Sequence, residues 1–323
     1  MHLKIATALA LALCAGCPQY RDPTVPGQVR HLTEPLHGQE YLLYVPTNYQ
    51  PDRQWALIVV CHGTRWFDTA KRQIGDWAKL AEERQFIVAA PRLQGVNGMI
   101  TPAVPKQLEL QRRDARHILS CVGHIQGAYN IAPDKIFLTG WSAGNFAVLA
   151  TGLNHPEVFR ALAVLQGNFK EEYLSDVASR IDPYQPVYVL YGSTDVITGR
   201  HGHRCVEWLH EHGAALTEDE IAGAHKNHPK RAYRFFERVV RKVPWLHIQA
   251  THGGADDPLT VRFDIRASFK PQRYRWSFGD KSESPIAKPT HTFDKPGQYT
   301  VTLDATNPDG TLVRRAVEVN VGQ

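Results

Sequence analysis

A serine lies at the centre of Gly140-Trp-Ser142-Ala-Gly144, a G-x-S-x-G pattern. Residues 136–138, which precede it, are apolar and β-prone, and those after it favour a helix. A serine on such a sharp strand-to-helix turn presents its hydroxyl as a nucleophile, and the flanking glycines avoid collisions between neighbouring side chains. The helix N-terminus then directs N–H groups toward a developing oxyanion. The pattern predicts Ser142 as a nucleophile; the alternative is a plain Gly/Ser turn between two buried elements.

A serine nucleophile needs a general base, and the base needs a carboxylate that orients it. After this kind of turn, the acid is expected to precede the histidine in the chain. Asp195 follows an apolar strand and a Gly-Ser-Thr turn, and His225 ends the run Ile-Ala-Gly-Ala-His. Both fall at the C-terminal edge of the predicted sheet, where open α/β sheets place their sites. We predict Asp195 and His225 as acid and base, and a capping role is the alternative for Asp195.

Other histidines compete for the role of base. His228 is the chief rival, being three residues after His225, and His201 and His203 are more distant candidates. Pro229 suits the first turn of a helix, which would leave His228 at the N-cap with its ring toward solvent. A surface position is the alternative for all three rivals.

An oxyanion hole requires two backbone N–H donors. One is expected from Ala143, directly after the nucleophile. The other is expected from Thr64, because it follows the apolar run that ends in Cys61-His62-Gly63.

Aromatic residues near these positions are candidates for substrate contact. Trp66, Phe67 and Trp141 could form the floor of an acyl or sugar pocket, and core packing is the alternative for each. No metal-ligand spacing such as C-x-x-C or H-E-x-x-H occurs in the sequence. The predicted chemistry therefore involves neither a metal nor a cofactor.

The elements that position these residues alternate between apolar strands and helical stretches. The predicted strands are 55–62, 86–90, 135–138, 161–165 and 187–191, and the predicted helices are 71–84, 106–128, 203–212 and 228–242. Such alternation predicts an α/β domain with a doubly wound, mostly parallel sheet over residues 31–245. An edge hairpin is expected from 29–32 and 40–45, and a helix is expected to begin at Ser142.

The composition changes after Pro244. Alternating polar and apolar residues, separated by turn residues, predict strands at 259–264, 274–278, 298–304 and 315–321. This pattern is typical of a small all-β sandwich, which we assign to residues 246–323. The segment offers no candidate nucleophile set, so small soluble substrates should not need it.

The N-terminus predicts export. Residues 1–17 have a basic start, a short apolar core and small residues, as secretory signals do, and the apolar run is too short to span a bilayer. Ala15-Gly16-Cys17 resembles a bacterial lipobox, in which Cys17 would be lipidated; plain secretion is the alternative. Residues 18–30 are proline-rich and polar, as a linker would be. Any membrane contact is expected only through the lipid anchor.

The net charge and the cysteine positions indicate which partners and which disulfides to expect. The net charge of +5 comes without a dense Lys/Arg run, so a solvated basic surface is favoured over nucleic-acid binding. Cys61 ends an apolar strand and is expected to be an inert core thiol. A Cys121–Cys205 disulfide is permitted by export, although the spacing does not indicate it.

These motifs together resemble the α/β-hydrolase superfamily across roughly residues 35–243. The approach to the nucleophile, Tyr129-Asn-Ile-Ala-Pro-Asp-Lys-Ile-Phe-Leu-Thr-Gly, is similar to the secreted branch of polyhydroxybutyrate depolymerase-like and feruloyl esterase-like enzymes. Thr64 departs from that branch, which often has Cys or Gly after His-Gly. Trp276-Ser-Phe-Gly-Asp280 and His291-Thr-Phe resemble a PKD domain across about 247–321, with Ser277 where Asp is usual.

The resemblance implies a secreted or lipid-anchored serine esterase that forms an acyl-enzyme. Its ester substrates are expected to be polyhydroxyalkanoates or feruloyl or acetyl esters of polysaccharides, in polymeric form. PKD domains are generally adhesive or spacing modules, so the tail is expected to bind a polysaccharide or protein. Two alternatives stay open: a serine peptidase of the prolyl-oligopeptidase type, which shares the triad order, and a non-catalytic surface adhesion protein. The complete Ser/Asp/His set argues against the second.

Overall fold

The computed structural model describes residues 26–100 and 102–322. The predicted signal segment, Cys17 and most of the predicted linker lie outside these residues. No helix within the described part of the chain is long and apolar enough to cross a membrane.

Eight strands form one sheet in the order β1-β2-β4-β3-β5-β6-β7-β8. From β4 through β8 all neighbouring strands are parallel, whereas β1 and β2 join the edge as an antiparallel hairpin. The central strands are buried on both faces, which explains their unbroken apolar sequences. Their bounds are β1 (Val29–Thr33), β2 (Glu40–Tyr44), β3 (Trp55–Cys61), β4 (Ile87–Pro91), β5 (Ile131–Trp141), β6 (Ala161–Leu165), β7 (Pro186–Gly192) and β8 (Ala215–Ile221).

Helices cover both faces of the sheet. The helices α2, α3 and α4 pack on one face, and α1 and α5 pack on the other. The predicted doubly wound, mostly parallel α/β architecture is therefore confirmed. The helix bounds are α1 (Ala70–Arg84), α2 (Val104–Ala128), α3 (Asn145–Gly152), α4 (Gly199–Glu211) and α5 (Pro229–Lys242).

The start of α4 was predicted four residues too late, because two glycines make this stretch look unfavourable for a helix. A Cβ on Gly202 would lie 2.3 Å from the Cβ of Tyr191. The glycine is thus needed for close packing of α4 on β7, and packing outweighs its low helix propensity.

The C-terminal part of the chain is an antiparallel sandwich of two sheets, with strand orders β13-β10-β9 and β12-β11-β14-β15. Its core contains Phe263, Trp276 and Phe293. The sequence missed β9, because only Leu246 and Ile248 of that strand are buried. The strand bounds are β9 (Leu246–His252), β10 (Thr260–Ala267), β11 (Arg273–Ser277), β12 (Glu283–Ser284), β13 (Thr290–Thr292), β14 (Gly297–Thr306) and β15 (Leu312–Val321).

The sandwich contacts the N-terminal edge of the parallel sheet. The Arg315 guanidinium lies 4.2 Å above the ring of Tyr184, which immediately precedes β7. Arg160, which immediately precedes β6, donates hydrogen bonds to Asp134 and to the carbonyl of Val243, just before the sandwich begins. The opposite edge of the sheet, where Ser142 and Asp195 lie, is therefore away from the sandwich.

The cysteines are free thiols. Cys61, Cys121 and Cys205 are all buried, and the disulfide that export would permit between Cys121 and Cys205 is not formed. Burial raises the pKa of each of these thiols, which makes them poor nucleophiles.

Candidate active site

Ser142 occupies a strained turn between β5 and the helical segment that follows it. Its φ angle is +56°, in the left-handed region that non-glycine residues adopt at a cost of roughly 1–3 kcal/mol. A Cβ on Gly144 would lie 2.4 Å from the carbonyl oxygen of Cys61, and one on Gly140 would lie 2.8 Å from Val148. Both glycines of the motif are therefore required by close packing, against β3 and α3 respectively.

The helix start differs from the prediction. Ser142 to Gly144 form a short 3-10 turn, and α3 begins at Asn145 rather than at Ser142. The left-handed backbone of Ser142 cannot be part of a right-handed α-helix, so the helix follows the turn.

Asp195 and His225 form a hydrogen-bonded pair. His225 Nδ1 lies 2.8 Å from Asp195 Oδ2, and the Thr198 hydroxyl donates to the same oxygen at 2.5 Å. The other carboxylate oxygen accepts hydrogen bonds from the backbone N–H groups of Ile197 and Thr198. Burial acts to raise the pKa of Asp195, but the hydrogen bonds from Thr198, His225 and the backbone outweigh it and lower the pKa. The carboxylate is therefore held ionised beside the imidazole.

Trp141 stacks on the imidazole of His225, with ring centroids 4.8 Å apart and planes at 26°. Because Trp141 directly precedes Ser142, this stack brings the histidine to the nucleophile's side of the sheet edge. Nδ1 is engaged by Asp195, which leaves Nε2 as the nitrogen able to take a proton from Ser142. The Ser142 hydroxyl has no hydrogen bond within the described part of the chain, and such catalytic contacts often tighten only when substrate is bound.

Gln166 holds the loop that carries His225, a role that the sequence did not predict. Its side-chain amide donates to the carbonyl of Ala224 at 3.0 Å and accepts a close hydrogen bond from the N–H of Lys226. Its own carbonyl oxygen lies 2.9 Å from the Thr198 hydroxyl oxygen, so it contacts the loop of the acid as well. Gln166 is fully buried and has a φ of +41°. A lone glutamine after an apolar strand gives no local sequence signal of this role.

The segment that carries Thr64 lies against the nucleophile, because a Cβ on Gly63 would be 3.1 Å from the Cβ of Ser142. Neither the Thr64 nor the Ala143 backbone N–H has an acceptor among the residues that the structure covers. Asp68, which the sequence analysis did not single out, accepts the N–H of Gly63 at 2.6 Å. The Thr64 hydroxyl accepts the N–H of Gly98 at 2.9 Å. These contacts fix the path of the loop after β3.

His62 joins the ends of two neighbouring strands beneath this loop. Its Nδ1 lies 2.9 Å from the carbonyl of Gly63, and its Nε2 accepts the N–H of Leu93 at 3.0 Å. Burial lowers its pKa and so favours the neutral imidazole that this pattern of contacts needs. The role is structural support of the oxyanion loop.

The predicted pocket aromatics do not share one position. Trp66 is 97% exposed and Phe67 is 61% exposed, so both side chains are open to the outside of the fold. Trp141 packs on the ring of His225. Contact of these residues with an acyl or sugar group stays a prediction.

The rival histidines lie elsewhere. His228 is the N-cap residue of α5, and burial lowers its pKa. The ring of His201 contacts the backbone of Phe169, and that of His203 packs 4.5 Å from Tyr191. In the described chain, none of the three hydrogen-bonds to Asp195.

A second cluster occurs in the sandwich, where the sequence predicted no nucleophile set. His291 Nε2 lies 2.6 Å from Asp280 Oδ2, and the Ser282 hydroxyl donates to Asp280 Oδ1 at 2.5 Å. Asp280 and His291 belong to the motifs that resemble a PKD domain, whereas nothing in the sequence indicates that Ser282 lies beside them.

Comparisons with known proteins support the two-part organisation. Residues 247–321 match the PKD domain family. A segment of 114 residues is 26% identical to poly(3-hydroxyalkanoate) depolymerase C of Paucimonas lemoignei, covering 34% of this chain and 27% of that protein. The chain thus matches only about a quarter of the depolymerase's length.

Solved structures resemble the α/β part. A ferulic acid esterase from the anaerobic fungus Anaeromyces mucronatus is 14% identical, with a TM-score of 0.51 over 68% of this chain and 94% of that one. The esterase PE8 is 16% identical, with a TM-score of 0.50 over 66% of this chain and 100% of that one. These likenesses confirm the predicted α/β-hydrolase fold.

Proposed function

We propose that this chain is a serine esterase that hydrolyses carboxylic esters, with Ser142 as nucleophile, His225 as base and Asp195 as the acid that orients the base. The observation that carries the proposal is the strained Ser142 turn, with Trp141 of the same turn stacked on a histidine that is hydrogen-bonded to a buried aspartate. Strain of this kind persists where the surroundings enforce it, and it is concentrated at functional sites.

The mechanism follows from the geometry. His225 Nε2 takes the proton of the Ser142 hydroxyl while Oγ bonds to the ester carbonyl carbon. The carbonyl oxygen becomes an oxyanion, which the N–H groups of Thr64 and Ala143 stabilise. Collapse breaks the bond to the alkoxy oxygen, and His225 returns the proton to the leaving alcohol. Water, deprotonated by His225, then hydrolyses the acyl-enzyme, and Asp195 stabilises the imidazolium in both halves.

The Thr198 hydroxyl contacts both Asp195 and His225. It lies 2.5 Å from Asp195 Oδ2 and 3.2 Å from His225 Nδ1. We infer that Thr198 keeps the carboxylate aligned with the imidazole, acting as a positioning residue through Asp195 rather than on the substrate.

We further propose that the substrate is polymer-linked and that the protein acts outside the cytoplasm. The depolymerase similarity and the PKD match support a polymeric substrate. The signal-like residues 1–17 support export, with Cys17 as the site of a lipid anchor. The PKD-like sandwich would serve as a binding module for a polysaccharide or protein.

A matched pair of chromogenic substrates tests the reaction class. We expect hydrolysis of p-nitrophenyl butyrate and none of glycyl-prolyl p-nitroanilide, because the proposal is an esterase and not a peptidase. A fluorophosphonate should label Ser142, identified by peptide mass spectrometry. Labelling of a different serine, or faster cleavage of the anilide, would refute the proposal.

A further inference from the structure

Exposed apolar side chains concentrate around the candidate active site. Within the described residues, eleven large apolar side chains are exposed, and six of them lie on three loops at the C-terminal edge of the sheet. Soluble proteins rarely gather exposed apolar side chains in this way unless the surface binds something. We call this set the apolar rim; it consists of Trp66, Phe67, Met99, Ile100, Val196 and Ile197.

Each loop of the apolar rim is attached to a residue of the site. The Thr64 hydroxyl accepts the N–H of Gly98, which joins the loop of Trp66 to that of Met99 and Ile100. A Cβ on Gly98 would lie 3.1 Å from the Cβ of Ala143, so this loop passes directly over an oxyanion donor. The third loop is anchored by the hydrogen bond from the N–H of Ile197 to Asp195. All three loops of the apolar rim therefore adjoin predicted site residues.

Trp66 adds an independent observation. Its φ is +80°, and its side chain is 97% exposed. A left-handed backbone at a non-glycine residue is unfavourable, and here the indole makes no compensating contact inside the fold. The turn is nevertheless fixed, because the N–H groups of Phe67 and Asp68 both donate to the carbonyl of Thr64. The strained turn thus presents an indole to something outside the chain.

The sandwich does not cover this surface. Its contact with Tyr184 lies before the strand β7, at the opposite edge of the sheet. Nothing in the described part of the chain covers the apolar rim, and an occupant of the rim would also lie over Ser142. A protein partner there would block the serine, whereas a solid ester polymer presents both an apolar surface and scissile bonds.

We propose that the apolar rim is a docking surface for a solid, apolar polyester, so that the α/β unit adsorbs to its substrate without the sandwich. This inference rests on the proposed esterase function for the identity of the occupant. Adsorption does not require bond cleavage, so the two proposals can be tested separately.

The test uses full-length chains in the Ser142→Ala background. The rim triple variant carries Trp66→Ser, Ile100→Ser and Val196→Ser, one change on each loop. The control triple variant carries Leu36→Ser, Ile286→Ser and Leu312→Ser, three exposed apolar residues that do not belong to the apolar rim. Depletion of protein from solution is measured with amorphous poly(3-hydroxybutyrate) particles and with regenerated cellulose. We expect the rim triple to weaken adsorption to the polyester by more than about tenfold and the control triple by less than about twofold.

Several outcomes would overturn the docking proposal. Equal adsorption of the two triples would do so, as would binding to phosphatidylcholine vesicles but not to the polyester. A parent dimer in sedimentation that the rim triple dissociates would assign the rim to a second copy. If the rim triple does not fold, Val196→Ser alone decides, because that side chain is 98% exposed. Rim-dependent adsorption of a wild-type chain that cleaves no ester would retain the docking surface and refute the esterase.

Discussion

The α/β sheet and the β-sandwich each hold a histidine against an aspartate, with a serine in the same region. In both, the histidine is hydrogen-bonded to the carboxylate, at 2.8 Å in the sheet and 2.6 Å in the sandwich. An aromatic ring stacks on each imidazole, with centroids 4.8 Å and 4.1 Å apart. We call them the sheet cluster and the sandwich cluster; they consist of Ser142, His225 and Asp195, and of Ser282, His291 and Asp280.

The two clusters differ in the hydrogen bonding of the serine hydroxyl. In the sandwich cluster the Ser282 hydroxyl donates its proton in a hydrogen bond to Asp280, although its oxygen also lies 3.3 Å from His291 Nε2. In the sheet cluster Thr198 donates to the carboxylate instead, and the Ser142 hydroxyl stays unengaged within the described structure. Of the two serines, only Ser142 has a left-handed backbone. The arrangement of hydrogen bonds, and not the residue trio, distinguishes a candidate nucleophile from a structural contact.

The largest expected difference between the clusters is at the serines. Ser142→Ala should reduce kcat for p-nitrophenyl butyrate by on the order of 10⁶, because the nucleophile is lost and only oxyanion stabilisation and binding remain. Ser282→Ala should leave kcat within about twofold, because its hydroxyl is bonded to Asp280 far from the sheet edge. Comparable losses in the two variants, each folded like the parent, would place the chemistry in both clusters or in neither.

Substitutions of His225 and His228 test which histidine is the base. His225→Ala should lower kcat by on the order of 10⁵, since the base for Ser142 is removed. His228→Ala should change it by less than about tenfold, or roughly 1.4 kcal/mol of barrier, because His228 caps α5. Steady-state kinetics on variants with matched melting temperatures provides the comparison. The reverse ranking would transfer the role of base to His228.

A smaller effect is expected at Gln166, for which the chain offers a matched control. Gln166→Met removes both contacts that flank His225, so kcat should fall by about 10- to 100-fold through misplacement of the base, with KM little changed. Gln185 is also buried and donates to two backbone carbonyls, of Gly152 and Phe159, but holds no site residue. Gln185→Met should lower the melting temperature while kcat stays within about twofold.

The readout for Gln166 must separate positioning from stability. The rate of labelling of Ser142 by a fluorophosphonate depends on activation by His225, so it should fall in parallel with kcat in Gln166→Met. If both glutamine variants lose stability equally and neither changes the labelling rate, Gln166 is only a packing residue.

The sequence predicted the parts of the site that depend on local pattern. The turn at Ser142 requires glycines at fixed positions, and Asp195 and His225 follow strands whose ends meet at one sheet edge, so their order in the chain was informative. Whether these three residues act together in catalysis stays a prediction, although the structure places Asp195 and His225 in contact.

What the sequence could not predict depends on side-chain direction and on long-range contacts. Gln166 and Lys226 are 60 residues apart, and nothing in either segment indicates their hydrogen bond. Trp66 and Trp141 are both tryptophans near a motif, yet one is exposed and the other packs on His225. The start of α4 was misplaced for a related reason, because the need for Gly202 arises from Tyr191 on another element.

The smallest effect that we expect concerns the contribution of the sandwich cluster to the stability of the fold. Burial acts to raise the pKa of Asp280, but hydrogen bonds from Ser282 and His291 outweigh it and lower the pKa to about 2. Because the folded state then binds fewer protons than the unfolded state, this group stabilises the fold above about pH 4, and the stabilisation is lost as the pH falls toward about 2. Asp280→Asn should therefore cost roughly 1–2 kcal/mol of unfolding free energy at neutral pH and progressively less under acid conditions.

This loss of unfolding free energy is measured by hydrogen exchange of the β14 amides. Exchange is followed from pH 7 downward and corrected for the intrinsic exchange rate. Asp256→Asn is the control, since this exposed sandwich carboxylate makes no hydrogen bond in the described structure. We expect faster exchange in Asp280→Asn alone, with esterase activity within about twofold of the parent in both variants. A large loss of kcat in Asp280→Asn, with β14 protected as in the parent, would mean that the sandwich cluster contributes to the reaction. The division of roles between the two clusters would then be wrong.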